Sequence, residues 1–171
     1  MDSDAAKSLV HQLVVSWEKR DFATFVSCLS DDVEWYDPAM PEPPARGRSE
    51  VRVFAEAVTR AFPDFKYEVI PPICFAEDGS RCAVMWRISA SHLAPLEPPG
   101  YSPTRRRAVF DGVDLLEFEG DRVKRILTAF DPLPAAEQLL GIRLRPVPGT
   151  WRGFLAVRAQ RIAAWLARKR R

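Results

Sequence analysis

Three ionisable residues stand alone on otherwise apolar faces of predicted strands: Asp37, His92 and Asp114. The side chains of a strand alternate between its two faces, so residues two apart point the same way. His92 continues the apolar face that begins at Val84, and Asp114 lies on the apolar face that begins at Ala108. A buried charge must be paired, hydrogen-bonded or neutralised. The pattern therefore predicts a pocket lined by one histidine and two aspartates.

Two carboxylates and an imidazole in an apolar pocket could carry out acid–base chemistry. Burial raises the pKa of a carboxylate, which can then take a proton from a carbon next to a carbonyl group. We predict that Asp114 is this base, and that His92 and Asp37 polarise the substrate or donate a proton. Each also has a simpler role open to it. Asp114 could bind backbone amides at a bulge, His92 could be a hydrogen-bonded rim residue, and Asp37 could cap a turn.

Aromatic side chains on the same strand faces are candidates for the pocket walls. The predicted substrate-binding walls are Trp35, Trp86, Phe110 and Phe118. Tyr101, in the proline-rich loop after His92, is predicted to cover the mouth. Asp131 closes the last predicted strand, where it either joins the pocket or caps the helix that follows.

The elements that must position these residues are helices first and strands later. The predicted helices are Asp4–Glu18, Asp21–Leu29 with Asp21 as N-cap, and Ser49–Phe62 with Ser49 as N-cap. The predicted strands are Val33–Asp37, Lys66–Ala76, Cys82–His92, Arg107–Glu119 and Arg122–Asp131. Pro71-Pro72 in the second of these strands predicts a bulge or a sheet edge. One early strand followed by a four-stranded antiparallel meander, segregated from helices, predicts the α+β class.

Composition excludes several classes of function. The 171 residues are 47% hydrophobic and 28% charged, which is typical of a globular domain. The acidic start of the chain argues against a secretory signal, and we read the three cysteines as buried, which favours the reducing cytosol. Two histidines and no paired cysteines disfavour zinc, and no glycine-rich phosphate loop or nucleophile motif occurs. From the residues alone we therefore do not expect a zinc site, a phosphate-binding loop or a nucleophile of the G-x-S-x-G type.

The C-terminal segment has the opposite charge to the rest of the chain. Residues 141–171 carry nine Lys or Arg and no acid, whereas residues 1–140 carry 16 basic and 23 acidic residues. A helix from Thr150 to Ala167 is predicted, with six large apolar side chains on one side: Trp151, Phe154, Leu155, Ile162, Trp165 and Leu166. This helix either packs on the domain or a dimer partner, or binds an anionic membrane surface or acidic partner. The acidic remainder of the chain disfavours nucleic acid.

A series of short segments, in matching order from about residue 8 to 141, resembles the SnoaL-like polyketide cyclase family. The segments are Val33–Pro38, Gly47-Arg48, Ala61–Phe65, Trp86, Ser91-His92, Pro103-Thr104, Gly112–Asp114, Phe118–Asp121 and Gln138–Gly141. The resemblance implies a cone-shaped barrel of the nuclear transport factor 2-like superfold, a domain over residues 1–141 with an extension over 142–171, and a homodimer. It also implies chemistry on a small hydrophobic ring-containing molecule without a cofactor, by cyclisation, isomerisation or epoxide opening.

The sequence departs from the family pattern on the last strand. The pattern places an acid there, whereas this chain has Leu127-Thr128, and Thr128 becomes a candidate ligand-binding residue. The departure leaves a second function open, that of a non-catalytic binding or dimerising scaffold. Fold alone does not decide between these functions.

Overall fold

A curved six-stranded sheet that does not close on itself forms the framework of residues 1–140. The computed structural model describes residues 3–40, 42, 44–97, 100–143, 145 and 147–169. The chain divides into two compact units, residues 1–140 and residues 141–171. Each unit is described by itself below.

Within its described residues, the first unit contains four helices and six strands. The helices are α1 (Ser3–Glu18), α2 (Phe22–Ser27), α3 (Gly47–Ala61) and α4 (Pro132–Leu140). The strands are β1 (Leu29–Tyr36), β2 (Ala45–Arg46), β3 (Lys66–Phe75), β4 (Arg81–Ser91), β5 (Arg107–Glu119) and β6 (Arg122–Ala129). Their order across the sheet is β2-β1-β6-β5-β4-β3, and every neighbouring pair is antiparallel except β1 with β6. The predicted α+β class and the β3–β6 meander are confirmed.

The helix N-termini confirm one predicted cap and contradict the other. Asp21 caps α2, since its Oδ1 accepts a hydrogen bond from the Thr24 backbone N–H at 3.1 Å. Ser49 does not cap α3, because the helix already begins at Gly47, whose φ of +71° lies in the left-handed region that favours glycine. The Glu50 carboxylate instead reaches back and accepts the Arg46 backbone N–H at 2.7 Å.

The prolines of β3 lie at the sheet edge, as predicted. β3 pairs with β4 alone, and its register shifts between Ile70 and Cys74, across Pro71-Pro72. Cys74 resumes the pairing with β4 opposite Ala83, and its side chain is exposed. The prediction that all three cysteines are buried is therefore wrong for Cys74 and right for Cys28 and Cys82.

The second unit contains one long helix, α5 (Trp151–Lys169). Thr150 caps it, with its hydroxyl oxygen accepting the Gly153 backbone N–H at 3.1 Å. The six large apolar side chains predicted to share one side of this helix are all exposed. Among the residues that the structure describes, no helix is long and apolar enough to cross a membrane.

Candidate active site

A cavity of about 830 Å³ lies between the sheet and the helices of the first unit. Most of its lining is apolar, with aromatic rings contributed by α1, α2, α3, four strands and the segments that connect them. The rings are Trp17, Phe25, Trp35, Phe54, Phe62, Phe65, Tyr67, Trp86, Phe110 and Phe130. A cavity of this size and polarity, with few polar groups, is typical of a binding site for a small organic molecule.

Asp114 projects into this cavity from the middle of the sheet. In the register of the sheet it lies opposite Val84 on β4 and opposite Thr128 on β6. Its Oδ1 accepts the Thr128 hydroxyl at 2.7 Å, and its Oδ2 accepts the Tyr67 hydroxyl at 3.1 Å. The Trp35 indole N–H donates to the same Thr128 oxygen at 2.9 Å. An indole can only donate, so the Thr128 proton must point at Asp114.

Some of the surroundings of Asp114 raise the pKa of its carboxyl and others lower it. Burial is the largest influence and raises the pKa of the carboxyl, while the donors Thr128, Trp86 and Tyr67 lower it. The net direction is upward. The Trp86 indole N–H influences the carboxyl without the geometry of a hydrogen bond. Asp114 is thus a carboxylate whose charge is solvated by a few fixed donors instead of by bulk water.

Asp37 follows the end of β1 and lines the same cavity. Its Oδ1 accepts the Ala39 backbone N–H at 2.7 Å, so it also forms the turn that was its alternative role. Burial, and then the charge of Asp114, raise the pKa of Asp37 to about 6, although the Ala39 N–H lowers it. Two carboxyls that face one cavity, where the charge of one raises the pKa of the other, can divide the roles of acid and base.

Trp86 forms the floor of the cavity opposite a glycine. Its ring centroid lies 5.9 Å from that of Tyr67 and 6.0 Å from those of Phe110 and Phe130. Gly112 is its neighbour across β5, and a Cβ atom there would come within 2.3 Å of the indole ring. Only glycine leaves room for the ring in this position.

The structure brings together most of the predicted site residues. Those that line the cavity are Asp37, Asp114, Trp35, Trp86, Phe110 and Thr128. The four that do not are His92, Phe118, Tyr101 and Asp131. The predicted chemistry therefore has two of its three ionisable groups in one cavity.

His92 is buried but is not part of the cavity lining. β4 ends at Ser91, and the His92 backbone pairs with the loop through Arg106 and Arg105. Its ring packs against Phe62 with centroids 5.3 Å apart, and burial lowers its pKa. His92 is thus packed outside the cavity, with Nδ1 accepting the Thr104 backbone N–H at 3.4 Å and Nε2 without a partner among the described residues, so its simpler predicted role is met in part.

The other three residues outside the lining each have a local reason. Phe118 lies near the end of β5, where it packs against the buried core cluster instead of lining the cavity. Tyr101 is exposed in its loop. Asp131 lies beyond β6 and accepts the Leu133 backbone N–H at 3.0 Å at the start of α4, its alternative role.

Tyr67 is a polar site residue that the sequence did not predict, and so are Glu42, Glu50 and Glu97. A signal existed, because the exposed Lys66 and Glu68 alternate with the partly buried Tyr67 and Val69. The sequence also did not predict the helical part of the lining, such as Phe54. Among the described residues, no group of three or more His, Cys, Asp or Glu is arranged to hold a metal ion.

Comparison with known proteins gives the family. Residues 10–126 match the SnoaL-like domain. The chain belongs to the SnoaL-like domain family. No curated protein sequence gives a match to this chain. The family assignment confirms the resemblance drawn from the sequence.

Solved structures of the same fold agree with this assignment. A candidate polyketide cyclase from Pseudomonas putida is 18% identical, with a TM-score of 0.68, covering 78% of this chain and 97% of its own. AclR, a candidate hydroxylase from Streptomyces galilaeus, is 22% identical, with a TM-score of 0.67 and coverage of 82% and 99%. TerC, co-crystallised with polyporic acid, is 17% identical, with a TM-score of 0.62 and coverage of 80% and 98%. At these identities the likeness establishes the α+β cone of the nuclear transport factor 2-like fold, as predicted for this SnoaL-like protein.

Proposed function

We propose that this SnoaL-like protein is a cofactor-free acid–base enzyme that cyclises or isomerises a small hydrophobic ring-containing molecule. The observation that carries the proposal is the presence of Asp37 and Asp114 in one apolar cavity, both with a raised pKa. Shifted pKa values in a cleft are a frequent mark of acid–base catalysis. The candidate polyketide cyclase among the structural neighbours supports the same class of reaction.

Asp114 serves as the base in this proposal. The hydroxyls of Thr128 and Tyr67 hold its carboxylate in one orientation, so no reorganisation is needed when the substrate arrives. Desolvation makes the carboxylate a stronger base than one in water. It takes a proton from a carbon next to a carbonyl group, and the electron pair of that C–H bond moves into the carbonyl to give an enolate.

Asp37 serves as the acid. Burial and the negative charge of Asp114 keep a proton on it up to a pH of about 6. Its Oδ1 is engaged by the Ala39 N–H, which leaves Oδ2 to donate that proton to a substrate oxygen or carbon. Asp114 then returns its own proton, or passes it on, to complete an isomerisation or a ring closure.

The test is deuterium exchange on a simple ring ketone. In D₂O the protein is expected to speed the exchange of the α-protons of 2-tetralone, measured by proton NMR. Asp114→Asn should slow this exchange by about 10²–10⁴-fold. Asparagine keeps the shape of the side chain and can still accept the Thr128 hydroxyl, so the fold is retained.

Asp111→Asn is the matched control. Asp111 lies on the same strand but is exposed, where it pairs with Arg87 at 2.7 and 2.8 Å. Its replacement should leave exchange unchanged. Exchange that survives Asp114→Asn contradicts the assignment of the base, and binding of the ketone without any exchange favours the rival function of a binding scaffold.

We also propose that α5 attaches the protein to an anionic membrane surface. Its basic side chains include Arg152, Arg158 and Arg161, and its exposed apolar side chains include two tryptophans and a phenylalanine. Arginine and tryptophan on one helix suit the headgroup region of a bilayer. The predicted homodimer and the predicted cytosolic location stay predictions.

Vesicle sedimentation tests this second proposal. The whole protein should bind phosphatidylserine vesicles at low salt and lose binding as salt screens the charges. A chain that ends before residue 146 should not bind. If the intact protein ignores these vesicles at low salt, α5 has another role.

A further inference from the structure

Asp114 accepts hydrogen bonds from two hydroxyls that differ in their freedom to turn. Thr128 donates to Oδ1 at 2.7 Å, and Tyr67 donates to Oδ2 at 3.1 Å. Thr128 is only 6% exposed, whereas Tyr67 is partly buried and lines the cavity, where a ligand can reach it. The two donors therefore need not respond alike when the carboxyl takes up a proton.

The Thr128 hydroxyl is fixed in direction by Trp35. The Trp35 indole N–H donates to the Thr128 oxygen at 2.9 Å, and an indole can donate but not accept. Among the described residues, Oδ1 of Asp114 is the one acceptor of the Thr128 proton. A proton on Oδ1 would meet the Thr128 proton, or would leave that buried proton without an acceptor. An unpaired buried donor is unfavourable.

The Tyr67 hydroxyl is free to turn, because in the described part of the chain it bonds to Oδ2 of Asp114 alone. Burial, and then the charge of Asp114, raise the pKa of this hydroxyl, so it keeps its proton and remains a donor. If Oδ2 takes up a proton, the Tyr67 oxygen can accept the new O–H group while its own proton turns into the cavity. A proton on Oδ2 thus leaves these two groups hydrogen-bonded.

We propose that Oδ2 of Asp114 is the basic atom of the site, and that Tyr67 is a switchable donor, which turns from Asp114 to an acceptor atom of the bound substrate when Oδ2 is protonated. This inference rests on the proposed acid–base function. In the step, a substrate C–H bond breaks, its proton bonds to Oδ2, and its electron pair stays on the substrate. No bond of Tyr67 breaks, because its O–H group only rotates. The hydroxyl then donates to the part of the substrate that has become electron-rich.

Asp114→Asn imitates the protonated carboxyl and gives a direct test. Asparagine has one oxygen that accepts and one NH₂ group that only donates. Because the Thr128 proton requires an acceptor, the amide oxygen should take the place of Oδ1 and the NH₂ group that of Oδ2. The NH₂ group then donates to the Tyr67 oxygen, and the Tyr67 proton points into the cavity. The variant should therefore offer a ligand one donor that the wild type keeps occupied.

A pair of probes of nearly equal shape detects this donor. 2-Methoxynaphthalene carries an ether oxygen that accepts a hydrogen bond, and 2-ethylnaphthalene has a methylene group in its place. Their dissociation constants are measured by displacement of the fluorescent ligand N-phenyl-1-naphthylamine from the full-length protein. Asp114→Asn should shift the ratio of the two constants about five- to tenfold in favour of the ether, as expected for one hydrogen bond. Tyr67→Phe in the Asp114→Asn background should abolish the shift.

Two single variants are the matched controls. Tyr67→Phe alone should leave the probe ratio at its wild-type value, because in the wild type Asp114 already accepts the Tyr67 proton. Asp37→Asn removes a cavity charge from a residue that bonds to Ala39 and not to Tyr67, so it should also leave the ratio unchanged. Thr128→Val in the Asp114→Asn background lets the amide turn either way, and it should reduce the shift.

The outcomes separate this inference from the function on which it rests. If Asp114→Asn abolishes deuterium exchange but leaves the probe ratio unchanged, the switchable donor is refuted and the acid–base function stands. A shift that survives Tyr67→Phe, or that Asp37→Asn reproduces, also refutes it. If the shift depends on Tyr67 but the wild type catalyses no exchange, Tyr67 is a switchable ligand contact and the acid–base function fails. If neither probe binds the wild type, the cavity does not take such aromatic molecules and both proposals fail.

Discussion

The cavity of the first unit and the helix α5 carry opposite charges and use them in different ways. Five acidic side chains line the cavity and, among the described residues, no Lys, Arg or His does: Asp37, Glu42, Glu50, Glu97 and Asp114. α5 carries basic side chains and no acid. In the cavity, Asp114 is held by donors at measured positions and its charge is shielded from water. On α5, the large apolar side chains are exposed.

In the cavity each individual polar contact matters, whereas on α5 only the summed effect of the charges does. A buried polar group depends on each of its few contacts, because water cannot replace them. Exposed charges act through solvent, where salt screens them and each contributes a similar, small amount. Single substitutions should therefore have large and specific effects in the cavity, and small, additive effects on α5.

Gly112→Ala should give the largest effect among the substitutions and probes that follow. The new Cβ would lie within 2.3 Å of the Trp86 ring, which the surrounding aromatic rings prevent from moving freely. Overpacking of this kind costs about 1–3 kcal/mol of stability. Urea unfolding measures the loss. An unchanged midpoint would show that the cavity floor is loosely packed, which contradicts the contrast with α5.

Asp37→Asn should stabilise the protein at high pH and not at low pH. The folded state holds the Asp37 proton up to a pH of about 6, against 3.8 as the ordinary value, so ionisation costs stability as the pH rises through this window. Asparagine cannot ionise, so the gain at pH 8 is up to about 3 kcal/mol and vanishes near pH 3.5. Thermal unfolding at the two pH values measures it.

Asp111→Asn provides the control of opposite sign. The Arg87 guanidinium beside Asp111 lowers the pKa of that exposed carboxyl, so its ionised form stabilises the folded state. This contribution is present above the ordinary pKa of the carboxyl and is lost as the pH falls below it. Replacement should therefore reduce stability at pH 8 and not at low pH. The same sign for both variants would contradict the assigned environments.

An anionic ligand should bind the cavity more weakly than a neutral one. 8-Anilino-1-naphthalenesulfonate adds one sulfonate to the skeleton of N-phenyl-1-naphthylamine. The charged side chains that line the described cavity are all acidic, so they repel the sulfonate. In a displacement assay the sulfonate should bind about tenfold more weakly than the neutral probe, corresponding to about 1.4 kcal/mol. Because the assay measures only the neutral probe that leaves the cavity, any sulfonate bound by α5 does not contribute. Equal affinities would contradict the contrast between an acidic cavity and a basic α5.

Arginine replacements on α5 should have the smallest single effects. Each of Arg152, Arg158 and Arg161 changed to Gln should weaken binding to phosphatidylserine vesicles by about 1 kcal/mol, and the three together by about the sum. Sedimentation at two salt concentrations measures both the loss and its screening. A single substitution that abolishes binding would indicate a specific pocket instead of an additive charge.

Period-two alternation in the sequence correctly predicted several residues that line the cavity. The apolar faces of β4 and β5 place Trp86, Phe110 and Asp114 in the cavity, because a regular antiparallel ladder preserves the alternation. Local turn signals were also reliable, as the Asp21 cap and the edge prolines of β3 show. Both kinds of signal depend on neighbours in the chain.

The errors arose near the ends of strands. His92 follows the alternation of β4 by one residue, but the strand has ended and the backbone pairs with a loop. Phe118 lies near the end of β5 and packs into the buried core instead of lining the cavity, which alternation alone does not distinguish. The Tyr67–Asp114 hydrogen bond joins residues 47 apart through the curvature of the sheet, so it could not be read from spacing.

Carboxyl ¹³C NMR titration of Asp37, in the wild type and in Asp114→Asn, tests the central claim most directly. If the two carboxyls share one desolvated cavity, Asp37 titrates near pH 6 in the wild type. In the variant its pKa falls because the neighbouring charge is gone, but burial keeps it above 3.8. Titration near the ordinary value in both proteins, or an identical raised value in both, would contradict the coupled acid–base pair.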